Sequence, residues 1–276
     1  MRGILADSAV SGQGGDGGCY HRVVRVASLS PAVTEILFRL GAGGSIVCRD
    51  QFSLFPEDAA EIPVLKGHAD IDPASLVPFG AEVVFTETVI QEKLAAILKA
   101  AGQPVIHLDP RTLDQVLLSV RTIGAVLGLE KEASALVLSL QREMNAVRAK
   151  ARLLPRRPKV YVEEWHAPPM ASGNWVAEVV KHAGGEAFPI PAGQLSRPVT
   201  LAEVARFDPD LVVISWCGAG SLADKTLLLE REGWGNLRAA AAGNVRVIDD
   251  SLLNRPGPRL AEGAARIYGW LFEMLH

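Results

Sequence analysis

The stretch EKEASALVLSLQREMNAVRAKAR, residues 130–152, contains neither Gly nor Pro. Its apolar residues fall at Ala133, Leu136, Val137, Leu140, Met144 and Val147. That is the i, i+3, i+4, i+7 spacing of one helical face. A helix rising about 1.5 Å per residue over this stretch spans roughly 35 Å, the breadth of a small domain. Pro155 and Pro158 stop it.

On both sides of this helix, short β-like runs alternate with amphipathic stretches. Before it, strands are expected at Val23–Ser28, Ser45–Cys48, Glu82–Thr86 and Pro104–Leu108. Ser30-Pro31 opens a helix with Ser at the cap and Pro at the first helical position. Gly41 and Gly128 end helices. After it, strands are expected at Lys159–Glu163, Leu211–Ser215 and Val245–Ile248, with a last amphipathic helix through Leu260, Ala264, Ile267, Leu271 and Leu275. Strands alternating with helices imply largely parallel sheets. The fold class expected is α/β, with two parallel-sheet lobes joined by a single long backbone helix. The lobes are 22–129 and 155–276, the connecting helix is 130–154, and the glycine-rich segment 1–21 is expected to be disordered.

Of the 276 residues, 49% are hydrophobic and 21% charged, and the net charge is −3. A nucleic-acid binder would need a basic excess on one face, and none is present. Arg152, Arg156, Arg157 and Lys159 form one tight group that reads as a solvated helix end. Cys19, Cys48 and Cys217 are too few and too widely spaced for a disulfide framework. No run reaches the length of a membrane span. Residues 1–20 lack the apolar core of a secretory signal, so the sequence as written predicts a cytoplasmic protein; a misassigned start would make it periplasmic.

In open parallel sheets ligands bind beyond the carboxyl ends of the strands. That rule selects Ser30, Pro31, Thr86, Glu87 and Asp109 in the first lobe. In the second it selects Glu164, Trp165, His166, Trp175, Trp216, Cys217 and Arg255. Three of the five tryptophans, Trp165, Trp175 and Trp216, fall in these segments. Any one alone reads as core. The set, lying where a cleft should open, reads as an apolar wall for a broad flat ligand such as a corrin or porphyrin. His68 is a candidate axial ligand for the metal of such a ring. Catalytic patterns are poor: there is no GxSxG, P-loop or GxGxxG. Glu163 and Glu164 alternate across a strand and cannot pair. No cofactor and no resident metal are expected.

Five phrases carry a family resemblance: RVASLSPAVTEILFRLG (25–41), GHADIDPASL (67–76), VYVEEWHAPPMASGNWVAEVVKHAGG (160–185), DPDLVVISWCG (208–218) and NRPGPRLAEG (254–263). In this order the chain resembles the substrate-binding proteins of iron–siderophore, haem and vitamin B12 importers, and most closely their cobalamin-binding branch. The resemblance implies a non-enzymatic, monomeric protein holding cobalamin between its lobes. Haem or a ferric siderophore is the alternative ligand, and a tetrapyrrole metal chelatase using His68 with Glu164 or Glu87 is the enzymatic alternative. An anionic siderophore calls for several cleft arginines, and only Arg255 and Arg49 are placed there. In the family each lobe docks on the ABC permease through an acidic residue. Here those positions carry Ala74 and Ala202, with Glu203 one step along, so docking is doubtful.

Overall fold

The computed structural model describes residues 24–276, so the segment 1–21 lies outside the described residues. The first lobe runs β1 (Val26–Ser28), α1 (Pro31–Arg39), β2 (Ile46–Asp50), β3 (Val64–Leu65), β4 (Val83–Glu87), α2 (Glu92–Ala100), β5 (Val105–Leu108) and α3 (Leu113–Leu127). Its strands form a parallel sheet in the order β3-β2-β1-β4-β5. The chain winds outward from β1 in one direction and from β4 in the other. The crevice between the ends of β1 and β4 is therefore the topological switch point where such sheets bind ligands.

The helix α4 (Glu130–Ala151) follows. The second lobe comprises β6 (Lys159–His166), β7 (Pro169–Ala171), α5 (Val176–His182), β8 (Glu186–Ala187), β9 (Arg197–Pro198), α6 (Leu201–Phe207), β10 (Leu211–Ile214), α7 (Thr226–Leu229), α8 (Arg238–Ala241), β11 (Val245–Val247) and α9 (Leu260–Leu275). Its sheet has the order β11-β10-β6-β7-β9, with β8 added beside β6. This sheet is mixed, not parallel throughout: β7 runs antiparallel to β6 and to β9. His166 pairs with Pro169, leaving only Ala167 and Pro168 in the connection. So short a link allows a hairpin, whereas a parallel crossover needs a dozen residues or more.

One helix serves two cores. Ala133, Leu136, Val137 and Leu140 pack with Val33, Ile36, Val120 and Ile123 of the first lobe. Met144 and Val147 pack with Val176, Val179, Leu260 and Ile267 of the second. Gly128 turns the chain from α3 into α4 with φ +69°, the left-handed conformation that glycine adopts without a steric cost. Gly124 lies so close to α4 that a Cβ there would run into the Cβ of Ala133. The lobes also meet directly. Arg259 Nε, at the start of α9, donates to Glu35 Oε2 of α1 at 2.9 Å, and its guanidinium lies 4.2 Å from the Phe55 ring centroid. Across the same junction Leu113 N donates to Glu178 Oε2 at 2.8 Å.

Candidate functional site

The strand ends of the first lobe are knitted together by buried polar side chains. Gln91, fully buried, is the hub. Its Nε2 donates to Leu29 O at 2.6 Å and to His68 O at 2.7 Å, and its Oε1 accepts from Glu87 N at 2.8 Å. It thus ties the loops after β1, β3 and β4 with one side chain. His68 Nδ1 lies 2.8 Å from Asp50 Oδ2, and Asp50 is fully buried at the end of β2. Ser53 Oγ donates to Asp50 Oδ1, and Thr34 and Ser28 extend the chain of hydroxyls beneath. With Nδ1 turned to the Asp50 carboxylate, the other ring nitrogen, Nε2, faces away from it. Nε2 has no hydrogen-bond partner among the described residues.

Ser30 occupies the cap position of α1, with Pro31 at the first helical position, but its hydroxyl does not cap the helix. Ser30 Oγ instead donates to Glu87 Oε2 at 2.6 Å, across the switch point. Glu87 is 2% exposed, and its Oε1 is buried without a partner. Burial pushes its carboxyl up to about 8, with Asp109 adding repulsion against the Ser30 bond, so Glu87 is a neutral acid at neutral pH. Thr86, predicted at the site, is fully buried and bonded to His107 Nδ1 at 3.0 Å. On a strand its side chain points to the opposite face from that of Glu87.

In the second lobe the three tryptophans part company. Trp175 is 3% exposed, donates from Nε1 to Leu253 O at 2.7 Å, and packs in the core against α5 and α9. Trp216 is 4% exposed and donates to Glu163 Oε1 at 3.0 Å. Glu163, fully buried, also receives both Arg231 nitrogens at 2.9 Å and the Tyr161 hydroxyl at 3.0 Å. These two tryptophans are core residues. An indole N–H with a buried partner is satisfied only when the ring is buried beside it, which the sequence does not reveal. Trp165 is the exposed one, and its ring continues through His166 to Trp216 as a row of tilted aromatics.

Glu164 Oε2 accepts from Ser196 Oγ, which in turn accepts from Gly173 N, and burial raises its carboxyl despite the Ser196 bond. Burial of the sulfur and the nearby Glu164 push the Cys217 thiol up to about 12, away from the thiolate form. Among the described residues no group of three or more His, Cys, Asp and Glu side chains is placed to hold a metal ion. No bond joins His68 to Glu87 or Glu164, the pairs a chelatase would use.

The arginines around the crevice are committed. Arg49 is buried and bonded to the backbone oxygens of Ala59 and Asp50. Arg111 pairs with Asp109, Arg231 with Glu163, and Arg259 with Glu35. Arg255, half-buried, is without an ion-pair partner among the described residues. An apolar surface missed by the sequence reading stands beyond the end of β2: Phe52, Leu54 and Phe55 are all exposed, and the Phe52 ring meets His68 edge-on at 5.6 Å. Its signal was present as three large apolar residues after a strand, next to Pro56.

A family model described as periplasmic binding protein matches residues 26–252. The chain is 24% identical to an uncharacterized ABC transporter substrate-binding lipoprotein of Bacillus subtilis, covering 88% of this chain and 78% of the relative. It is 24% identical to the cobalamin-binding protein of Halobacterium salinarum, covering 88% and 68%. Among solved structures, the periplasmic haem-binding protein of Roseiflexus in its apo form superposes with a TM-score of 0.80 at 22% identity, covering 92% of this chain and all of that one. At that identity the likeness speaks for the fold.

Proposed function

Because the chain belongs to the periplasmic binding protein family, we propose that it is a non-catalytic solute-binding protein that holds a corrinoid, cobalamin, between its two lobes. The observation that carries the ligand class is the charge of the crevice. Arg49, Arg111, Arg231 and Arg259 are each tied to other groups, leaving Arg255, and Glu87 is neutral at neutral pH. Haem carries two propionates and many ferric siderophores are anionic, so either would call for more than the one uncommitted cation, Arg255. The corrin periphery is made of neutral amides. The cobalamin-binding relative supports the same choice.

In this reading the ring lies against Phe52, Phe55 and Trp165, with His68 over its face and Pro31 and Arg255 at its edge. Ser30, Glu87 and Glu164 form the floor beneath. His68 is the residue to coordinate the metal: a carboxylate behind Nδ1 fixes the ring and makes Nε2 a better donor. That same feature favours the second reading, a haem carrier. The family name and the lipoprotein relative favour the periplasmic alternative for location, and no helix among the described residues is long and apolar enough to cross a membrane.

Calorimetry with cyanocobalamin and with haem tests the ligand. Cyanocobalamin is expected to bind at micromolar or tighter affinity, and more tightly than haem. Tight haem binding with no heat from cyanocobalamin at tens of micromolar replaces the corrinoid reading with the haem one. Mixing the protein with cobaltous ion and a free tetrapyrrole tests for turnover, which would make it an enzyme.

A further inference from the structure

At the end of the second lobe away from the crevice, cations converge. Arg148 and Arg152 close α4, Lys181 lies in the last turn of α5, and Arg157 stands just before β6. All four line one groove of about 590 Å³, together with Glu178 and His182. The groove opens at the amino ends of β6 and β8, whereas the ligand crevice opens at the carboxyl ends. Gly184, with φ +91°, lets the two helix ends approach: a Cβ there would press on Leu154 and Ala151 at 2.9 and 3.0 Å.

None of the four cations forms an ion pair among the described residues. Arg157 spends one nitrogen on Gly185 O at 3.2 Å. The single lining carboxylate, Glu178, accepts from Leu113 N. By their spacing in the sequence Arg152, Arg156, Arg157 and Lys159 form one solvated helix end, and the fold divides them. Arg156 pairs with Asp210 and Lys159 lies over Phe207, while Arg152 and Arg157 turn to the groove. Cations in the last turn of a helix offset its dipole, which accounts for Arg148 and Lys181. It does not account for Arg157, which is on no helix, nor for the convergence of all four on one concave surface against their mutual repulsion.

We propose that this groove is a second site, for a phosphate-bearing anion, with Arg148, Arg152, Arg157 and Lys181 gripping the phosphate oxygens. Guanidinium forks match phosphate geometry, and a concave wall multiplies the contacts. His182 adds no charge at neutral pH, since burial and then Arg148 hold it below the usual range. The anion is either a free phosphate compound or the headgroup of an acidic lipid.

Sodium tripolyphosphate, followed by calorimetry, tests the first source. Co-flotation with vesicles of phosphatidylcholine mixed with phosphatidylglycerol, against phosphatidylcholine alone, tests the second. The comparison protein is Arg152→Glu with Lys181→Glu, both exposed residues, and its corrinoid binding is expected to stay unchanged because the groove lies outside the crevice. Tripolyphosphate binding weakened roughly tenfold or more in the variant establishes a site for soluble phosphate compounds. Capture on acidic vesicles alone, lost in the variant, establishes a headgroup seat. Equal behaviour of the two proteins, or no binding of either probe, overturns the proposal.

Discussion

Leu140 and Met144, one helical turn apart on the same face of α4, belong to different hydrophobic cores. The lobe boundary therefore crosses an unbroken helix. Bending a helix there would open its backbone hydrogen-bond ladder, and the Arg259–Glu35 and Leu113–Glu178 contacts brace the same junction. Small-angle scattering curves with and without cyanocobalamin are expected to nearly superimpose. A large contraction on binding would show that the junction flexes.

The division among the tryptophans has a direct consequence for mutants. Trp175→Ala and Trp216→Ala are expected to cost about 3–5 kcal/mol each, the usual range for emptying a buried aromatic site. Trp216→Ala also leaves the Glu163–Arg231 pair without one of its donors. Trp165→Ala is expected to change stability by less than about 0.5 kcal/mol, yet to weaken cyanocobalamin binding. Denaturant unfolding and calorimetry on the three variants separate wall from core.

Glu87 sets a pH dependence whose sign is opposite to that of an ordinary paired carboxylate. Its folded value, about 8, stands above the ordinary 4.5. Between these values the folded protein holds more protons than the unfolded chain, so Glu87 withdraws stability as pH rises. Repulsion from Asp109 raises the folded value and so widens this window, while the Ser30 hydrogen bond lowers it and narrows it. Glu87→Gln keeps the shape and cannot ionise. Relative to the parent it is expected to gain stability from about pH 4.5 to about pH 8 and to level off above. Parallel unfolding curves for the two proteins across this window would mean that Glu87 is charged throughout.

The two positions that match the acidic docking residues of the resembled family hold Ala74 and Ala202. Ala74 lies in the helical turn Pro73–Phe79, where the Asp72 side chain is taken up by Ala74 N at 2.9 Å. Glu203 closes a capping box on α6: Oε2 accepts from Thr200 N at 2.8 Å, and Oε1 accepts from Arg197 at 2.8 Å. Placed in the periplasm, the protein is expected not to restore B12 uptake to cells lacking their own binding protein. Ala74→Glu with Ala202→Glu is expected to improve docking. Rescue by the unmodified chain would show that another surface meets the permease.

The sequence by itself determined the frame. The 3.6-residue stripe from Ala133 to Val147, unbroken by Gly or Pro, and the Pro155–Pro158 stop are local signals, and α4 ends at Ala151, just before the expected end at 154. Apolar runs such as Leu211–Ile214 become buried strands for the same local reason. Short strands were less legible: Val64–Leu65, Glu186–Ala187 and Arg197–Pro198 hold no periodic pattern in two residues and exist because a neighbour offers its edge. The crevice was legible only as a set of strand ends. Which side chains face it was decided by partners distant in sequence: Leu253 holds Trp175 in the core, Glu163 and Arg231 hold Trp216, and Asp50 turns His68 so that Nε2 stays free. A polar atom on a large side chain goes where its hydrogen bond is met, and that partner is supplied by tertiary packing.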